Sequence, residues 1–205
     1  MSPGKIRLIP LAYERPAERN IFKRSYPDEF DETRPMRVLF LGQINLRKGV
    51  ARLLKAIRLL ENEPIEFQFV GPVQISIPHD LQNNPHIRWL GAVPRSEVGA
   101  FYGNADVLIF PTLSDGFGLT QLEAQAWSLP IIASQYCGEV VTNGTNGLVL
   151  TGLSGETIAD ALRSCLCEPS QLRSFAANAG LGEKFKLKTV GEKLRGLFES
   201  PVRMP

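Results

Sequence analysis

The chain is expected to fold as an α/β protein, a Rossmann-like doubly wound parallel sheet with helices following it at the C-terminal end. Three observations lead there. Near-continuous apolar runs, Met36 to Gly42 and Val107 to Phe110, suit strands buried on both faces of a parallel sheet. Between such runs, apolar residues recur at three- and four-residue intervals, the pattern of helices that lay one face on a sheet. The stretch Phe110 to Ser134, FPTLSDGFGLTQLEAQAWSLPIIAS, then joins a strand end, a glycine turn, a helix and the next strand in a single unit. The expected division is an entry linker over 1–35, the Rossmann-like domain over 36–180 and a helical tail over 181–205.

Taken in order, the linker carries Pro3, Pro10, Pro16, Pro27 and Pro35, which interrupt any long helix. Met36 to Gly42 is the first sheet strand. A loop, Gln43 to Arg47, and then Lys48-Gly49 lead into a helix whose Val50, Leu53, Leu54, Ile57 and Leu60 face the sheet. Strand, loop and helix are expected again at Ile65 to Gly71 and at His86 to Gly91. Pro94 to Asn104 gives a helix with Val98, Phe101 and Tyr102 as its inner stripe. After Val107 to Phe110, stopped by Pro111, a helix with Leu119, Leu122 and Ala126 at helical spacing runs until Pro130 ends it before the strand Ile131 to Ser134. Leu148 to Leu150 continues the sheet after the turn Asn143 to Gly147. Ser154-x-Glu156 opens a helix containing Ile158, Leu162 and Leu166, ended by Pro169, and Leu172 to Ala179 and Val190 to Phe198 suggest two more.

Composition narrows the functions. A chain of 205 residues with 43% apolar content can bury a core as one domain of ordinary size. Its 23 basic and 21 acidic residues are well mixed and leave a net charge of +2, which gives no basis for nucleic-acid binding. No apolar run approaches the roughly 20 residues of a bilayer span, and the N-terminus lacks a signal-peptide core, so a cytoplasmic protein is expected. Cys137, Cys165 and Cys167 are odd in number and without ligand spacing, and free thiols are expected. His79 and His86 stand apart from each other and from any cysteine pair, which gives a metal site nothing to build on. Lys184, Lys188 and Arg195 make one side of the tail basic; a solvated helix face is one reading, peripheral contact with an anionic membrane the other.

In a doubly wound sheet, ligands bind beyond the carboxyl ends of the strands. Gln43 to Lys48, Ala92 to Pro94 and Asp115 to Leu119 each follow a strand directly, so the three loops belong to one rim. Gly116 and Gly118 flank Phe117 and let the backbone bend sharply and come close to a ligand. The amides of Phe117, Gly118 and Leu119 open a helix, where unpaired N–H groups and the helix dipole favour an anion. Two carboxylates complete the set, Asp115 in the loop and Glu123 in the second helical turn. At about 100° per residue, Glu123 falls within the arc of Leu119, Ala126 and Trp127, and a charge pointing there needs a partner. Read alone, these residues also allow a bland account, with Asp115 capping the helix, Glu123 accepting hydrogen bonds from a neighbouring loop and Lys48 an exposed cation at a helix start.

The pattern Asp115-Gly116-Phe117-Gly118 followed by Leu122-Glu123-Ala124 resembles the signature of the C-terminal domain of glycosyltransferase family 4, retaining enzymes of the GT-B fold that use sugar nucleotides. That signature has two glutamates separated by seven residues; here the second is Glu123 and the first has become Asp115, one methylene shorter. The resemblance implies that Lys48, Asp115 and Glu123 carry the catalytic positions: Lys48 on the donor diphosphate, Asp115 on the sugar hydroxyls, Glu123 on the ribose hydroxyls. It implies donor contacts for Gly42, Gln43 and Arg47, where Gln43 stands at the family's usual arginine position and Arg47, beside Lys48, restores the charge. Ala92 and Val93 would meet the base edge through their backbone, and Gly116, Phe117, Gly118 and Leu119 would hold the diphosphate. Ile6 to Tyr13, IRLIPLAY, resembles the short strand and turn that enter this domain, with Leu11-Ala12 replacing the usual Asn-Gly. No cofactor or metal is implied beyond the substrate, a UDP-, GDP- or ADP-linked sugar.

The expected function is therefore the donor-binding half of a retaining glycosyltransferase, passing a hexosyl group to an acceptor held by an N-terminal GT-B domain absent from this chain. By itself the chain is expected to be inactive. A non-catalytic nucleotide-sugar-binding or regulatory module is the alternative, toward which Gln43 and Asp115 point. A sugar-phosphate epimerase of the related two-domain type is a third reading that no residue here favours.

Overall fold

The computed structural model describes residues 9–14 and 22–199. One parallel sheet holds six strands: β1 (Met36–Leu41), β2 (Ile65–Val70), β3 (Ile87–Gly91), β4 (Val107–Phe110), β5 (Ile131–Ala133) and β6 (Gly147–Val149). Their order is β3-β2-β1-β4-β5-β6. The chain starts in the middle and winds outward both ways, so its direction reverses between β1 and β4, where Val38 pairs with Val107 and Leu39 with Leu108. Connections diverge from that pair and leave a crevice at the carboxyl ends of the two strands. The parallel α/β sheet and its family of order agree with the fold class read from the sequence.

Around the sheet lie α1 (Val50–Leu59), α2 (His79–Gln82), α3 (Val98–Asn104), α4 (Leu119–Ala126), α5 (Gly155–Cys167), α6 (Pro169–Asn178) and α7 (Leu187–Glu199). Side chains of a strand alternate between faces, which divides the core in two. Val38, Phe40, Val107 and Ile109 pack with α1 and α5 through Leu53, Ile57, Ile158 and Leu162. Leu39, Leu108 and Phe110 point the other way, onto Tyr102 of α3 and Ala124 of α4. Both faces of β4 are thus covered, and all four of its residues are buried.

Several boundaries differ from expectation for local reasons. Pro169 does not end a helix but opens α6, in the first turn, where its missing N–H leaves no bond unmade. Between β2 and β3 there is a single turn, α2, of 4 residues in place of a full helix. The last strand is Gly147–Val149, one residue earlier than read, because Gly147 pairs with Ile131 at an approach that leaves no room for a Cβ. In α4, Leu119 is 46% exposed and the buried face consists of Gln121, Leu122, Ala124, Gln125 and Ala126.

Residues 22–35 lie against the domain. Tyr26 and Phe30 are buried in the core on the α1 side, and the Tyr26 hydroxyl donates to the Asp106 carbonyl at 2.9 Å. Arg24 caps the ends of two helices, donating to the carbonyls of Tyr102 at 2.6 Å and Ala105 behind α3, and to those of Trp127 at 3.2 Å and Ser128 at 3.1 Å behind α4. Of the strand read over Ile6 to Tyr13, residues 6–8 lie outside the described residues, as do the rest of 1–8, 15–21 and 200–205 of the linker and tail. Tyr13 forms a parallel bridge with Lys186, its amide donating to the Phe185 carbonyl at 3.0 Å. No helix among the described residues is long and apolar enough to cross a membrane.

Candidate functional site

The crevice between β1 and β4 is closed at its floor by a tight approach. Gly49, at φ +75°, begins α1, and a Cβ on it would lie 1.9 Å from the Pro111 carbonyl oxygen. The start of α1 is therefore pressed on the end of β4, which carries Lys48 to the loop that holds Asp115. The two side chains form an ion pair, with only 16% and 15% of their surfaces exposed. The Lys48 ammonium also lies 5.3 Å from the centre of the Phe110 ring. Lys48 is thus not an exposed cation. A lysine at the N-terminal side of a helix is disfavoured by the helix dipole, so Asp115 is the group that holds it there. Nor does Asp115 cap α4: the cap is Gly118, and the Phe117 amide reaches Asp115 Oδ1 only at 3.4 Å.

Arg47 ties the two loops together. Its guanidinium donates to the Ser114 carbonyl at 2.9 Å, and its own carbonyl accepts from the Leu113 amide at 2.8 Å and the Thr112 hydroxyl at 3.2 Å. Ahead of it, the Asn45 side chain accepts from the Lys48 amide at 3.0 Å and donates to Gln43 at 3.3 Å and Gln74 at 2.9 Å. Gly42, Gln43, Ala92 and Val93 border one shallow depression of about 300 Å³ at the ends of β1, β2 and β3.

Glu123 faces a second cavity, of about 360 Å³, whose walls include Tyr13, Arg95, Tyr102 and Trp127. Val98 borders both hollows and is the ridge between them. The partner that the Glu123 charge requires is Tyr102, whose hydroxyl donates to Oε2 at 2.7 Å; Arg95 stands 3.8 Å from Oε1. Burial first, and then the Glu123 charge, push the Tyr102 hydroxyl well above the usual phenol range, and the same two causes raise Tyr13. Each phenol therefore keeps its proton and remains a donor.

The glycine loop is pinned from beneath. Gly118 takes φ +80°, and a Cβ there would meet the Phe110 ring at 2.8 Å. Gln121 donates through Nε2 to the carbonyls of Phe117 at 3.0 Å and Gly138 at 3.1 Å, while the Gly138 amide donates to Phe117 at 2.9 Å. The Asp115 amide donates to the Tyr136 carbonyl at 3.0 Å, and the Phe117 ring meets Phe185 edge-on at 5.8 Å. Gly116 and Leu119 are exposed on the rim.

The residues read from the sequence thus fall into three groups: Lys48, Arg47 and the Asp115 to Leu119 loop in direct contact; Gly42, Gln43, Ala92 and Val93 around one depression; Glu123 across the Val98 ridge. Sequence reasoning missed Tyr102, Arg95, Tyr13 and Gln121. Tyr102 alone had a usable signal, since a tyrosine in an apolar stripe must find a partner for its hydroxyl. Among the described residues no group of three or more His, Cys, Asp or Glu is placed to hold a metal ion.

A model of the family described as "Glycosyl transferases group 1" matches residues 23–181. The D-inositol 3-phosphate glycosyltransferase of Corynebacterium urealyticum is 31% identical over 183 residues, which cover 81% of this chain and 43% of the relative. The chain spans less than half the length of the curated relatives it matches first. Among solved structures, Anabaena HepE in complex with UDP superposes with a TM-score of 0.67 at 19% identity, covering 82% of this chain and 49% of that one. The C-terminal domain of the glycosyl transferase group 1 family protein LpcC from Francisella tularensis gives a TM-score of 0.61 at 20% identity, covering 78% of this chain and 93% of that one. The fold is that of about half of the HepE structure and of nearly the whole LpcC domain.

Proposed function

The chain belongs to the glycosyl transferases group 1 family, and on that premise we propose that it is the donor-binding domain of a retaining glycosyltransferase, with the acceptor held by an N-terminal domain outside this chain. The donor is a nucleoside-diphosphate sugar. HepE, which shares the fold, is solved with UDP and with UDP-glucose, which makes uridine the first base to try. The match to nearly the whole of a C-terminal domain supports the assignment to that half.

One observation carries the reading: the half-buried pair of Lys48 and Asp115 at the switch point between β1 and β4. A cation held by a carboxylate at the mouth of the crevice is a site made for exchange. The donor diphosphate takes Lys48, with the amides at the start of α4 as further donors, and Asp115 is released toward the sugar hydroxyls. Catalysis on this account consists of positioning the sugar and stabilising charge on the departing diphosphate. Glu123 accepts from the ribose, and the backbone at Ala92 and Val93 meets the base.

Calorimetric titration with UDP, GDP, ADP and dTDP tests this. One of the four is expected to bind selectively. A charge-assisted bond of this kind contributes on the order of 1.5–3 kcal/mol, so Lys48→Ala should weaken that binding by roughly ten- to a hundredfold. Unchanged affinity in Lys48→Ala would defeat the account of the site.

A further inference from the structure

We propose that Tyr102 is a positioning residue for the donor site, fixing the Glu123 carboxylate so that one oxygen is bound by the protein and the other is offered to the ribose diol. The proposal rests on the donor-site reading and adds to it the residue that sets the geometry of ribose recognition.

The carboxylate is held unevenly. Oε2 accepts the Tyr102 hydroxyl at 2.7 Å, whereas Oε1 has Arg95 as its nearest cation among the described residues, at 3.8 Å, beyond hydrogen-bond distance. Arg95 is 89% exposed and unpacked, so it leaves Oε1 without displacing a core side chain. Tyr102 has no such freedom. It is 2% exposed and packed among Leu39, Leu108 and Phe110 on the sheet, and a buried phenol has one direction in which to send its proton. Donor and acceptor are further locked through their backbones, because Arg24 bonds carbonyls at the ends of both α3, which bears Tyr102, and α4, which bears Glu123. The pair therefore behaves as one rigid unit in the wall of the cavity.

Such an arrangement suits adjacent hydroxyls, which donate side by side to one carboxylate oxygen or bridge to its open edge. Without the phenol, nothing else among the described residues fixes the carboxylate plane. It is then free to turn toward Arg95, and the ribose loses an aligned acceptor while the diphosphate and base contacts stay as they were.

The test compares UDP with 2′-deoxy-UDP, or the corresponding guanine pair should that base be selected, by calorimetry on the full chain and on Tyr102→Phe. The unmodified chain is expected to prefer the ribonucleotide by roughly tenfold. In Tyr102→Phe that preference should fall toward unity, through weaker binding of the ribonucleotide with the deoxy form unchanged. Glu123→Asp, which keeps the charge but withdraws it from the phenol, should remove the same preference, and melting curves confirm that each variant is folded. A preference retained in Tyr102→Phe overturns the proposal, and so does an equal loss for both nucleotides, which marks a merely structural tyrosine. Absence of binding by the unmodified chain overturns the donor reading itself, a result distinguishable from either.

Discussion

Asp106 lies at the opposite end of β4 from the candidate site and is 1% exposed. Arg34 grips its carboxylate through two nitrogens, at 2.6 and 2.8 Å, and the Arg37 amide donates to it at 2.8 Å. Lys48 and Asp115 form a comparable pair at the carboxyl end, yet with one difference. Asp106 has a backbone donor and a bidentate partner that keep it in place, whereas Asp115 faces an open crevice in which, on the proposed reading, a diphosphate would compete for its cation. Asp106→Ala is accordingly expected to destabilise the fold by on the order of 3 kcal/mol and to leave nucleotide affinity unchanged. Denaturant midpoints and one titration check this; a variant of native stability would show the pair to be dispensable. At this scale the sequence was only partly legible. It placed Lys48 and Asp115 on one rim by topology, but no spacing rule brings residues 48 and 115 into contact. Arg34, Tyr26 and Phe30 fell in a segment whose prolines read as linker, because the partners that bury them are distant in sequence.

At the scale of elements, periodicity worked where packing is apolar and failed where it is polar. The stripe of α1 read from the sequence contains Val50, Leu53, Leu54 and Ile57, all buried. In α4 the buried side includes two glutamines, Gln121 and Gln125. Gln125 Nε2 donates to the Leu129 carbonyl at 3.1 Å, and its Oε1 accepts from Asn146 at 2.8 Å and the Gly180 amide at 3.3 Å. A hydrophobic pattern cannot register such residues, which is why Leu119 was drawn into the stripe. Gly118 starts this helix in a left-handed conformation against the Phe110 ring, and both constraints fall on one residue. Gly118→Ala should therefore destabilise the protein by about 1–3 kcal/mol and weaken nucleotide binding, since the loop bearing Asp115 and Phe117 must shift. Binding and melting measured together would show this. A variant as stable as the parent would mean that the loop relaxes without strain.

For the whole molecule, burial on both faces of the sheet sets a limit at high pH. The Cys165 thiol is pushed up to about 12 from an ordinary value near 9.0, and Cys137 to about 11, in each case chiefly by burial. Tyr26 on one face and Tyr102 on the other are raised above the phenol value of 10.0 for the same first reason. The folded chain thus retains protons that the unfolded chain gives up. In the window from about pH 9 to about pH 12 the unfolded state binds fewer protons than the folded one, so stability must fall as pH rises. Below pH 9 these groups are protonated in both states and contribute no slope. Urea midpoints measured from pH 8 upward should stay level with respect to these groups and then decline, and Cys165→Ala should decline less steeply. A midpoint that climbs through pH 9 to 11 would contradict the burial of these groups. On the proposed reading, a bound nucleotide would raise the entire curve by mass action without altering the slope due to Cys165, which lies on the α1 and α5 side of the sheet. Tyr102 differs, because its hydroxyl donates to Glu123. If that carboxylate holds the ribose only while Tyr102 keeps its proton, ligand should carry the alkaline decline to higher pH in the parent but not in Tyr102→Phe, so that one set of unfolding curves separates core titration from titration at the site.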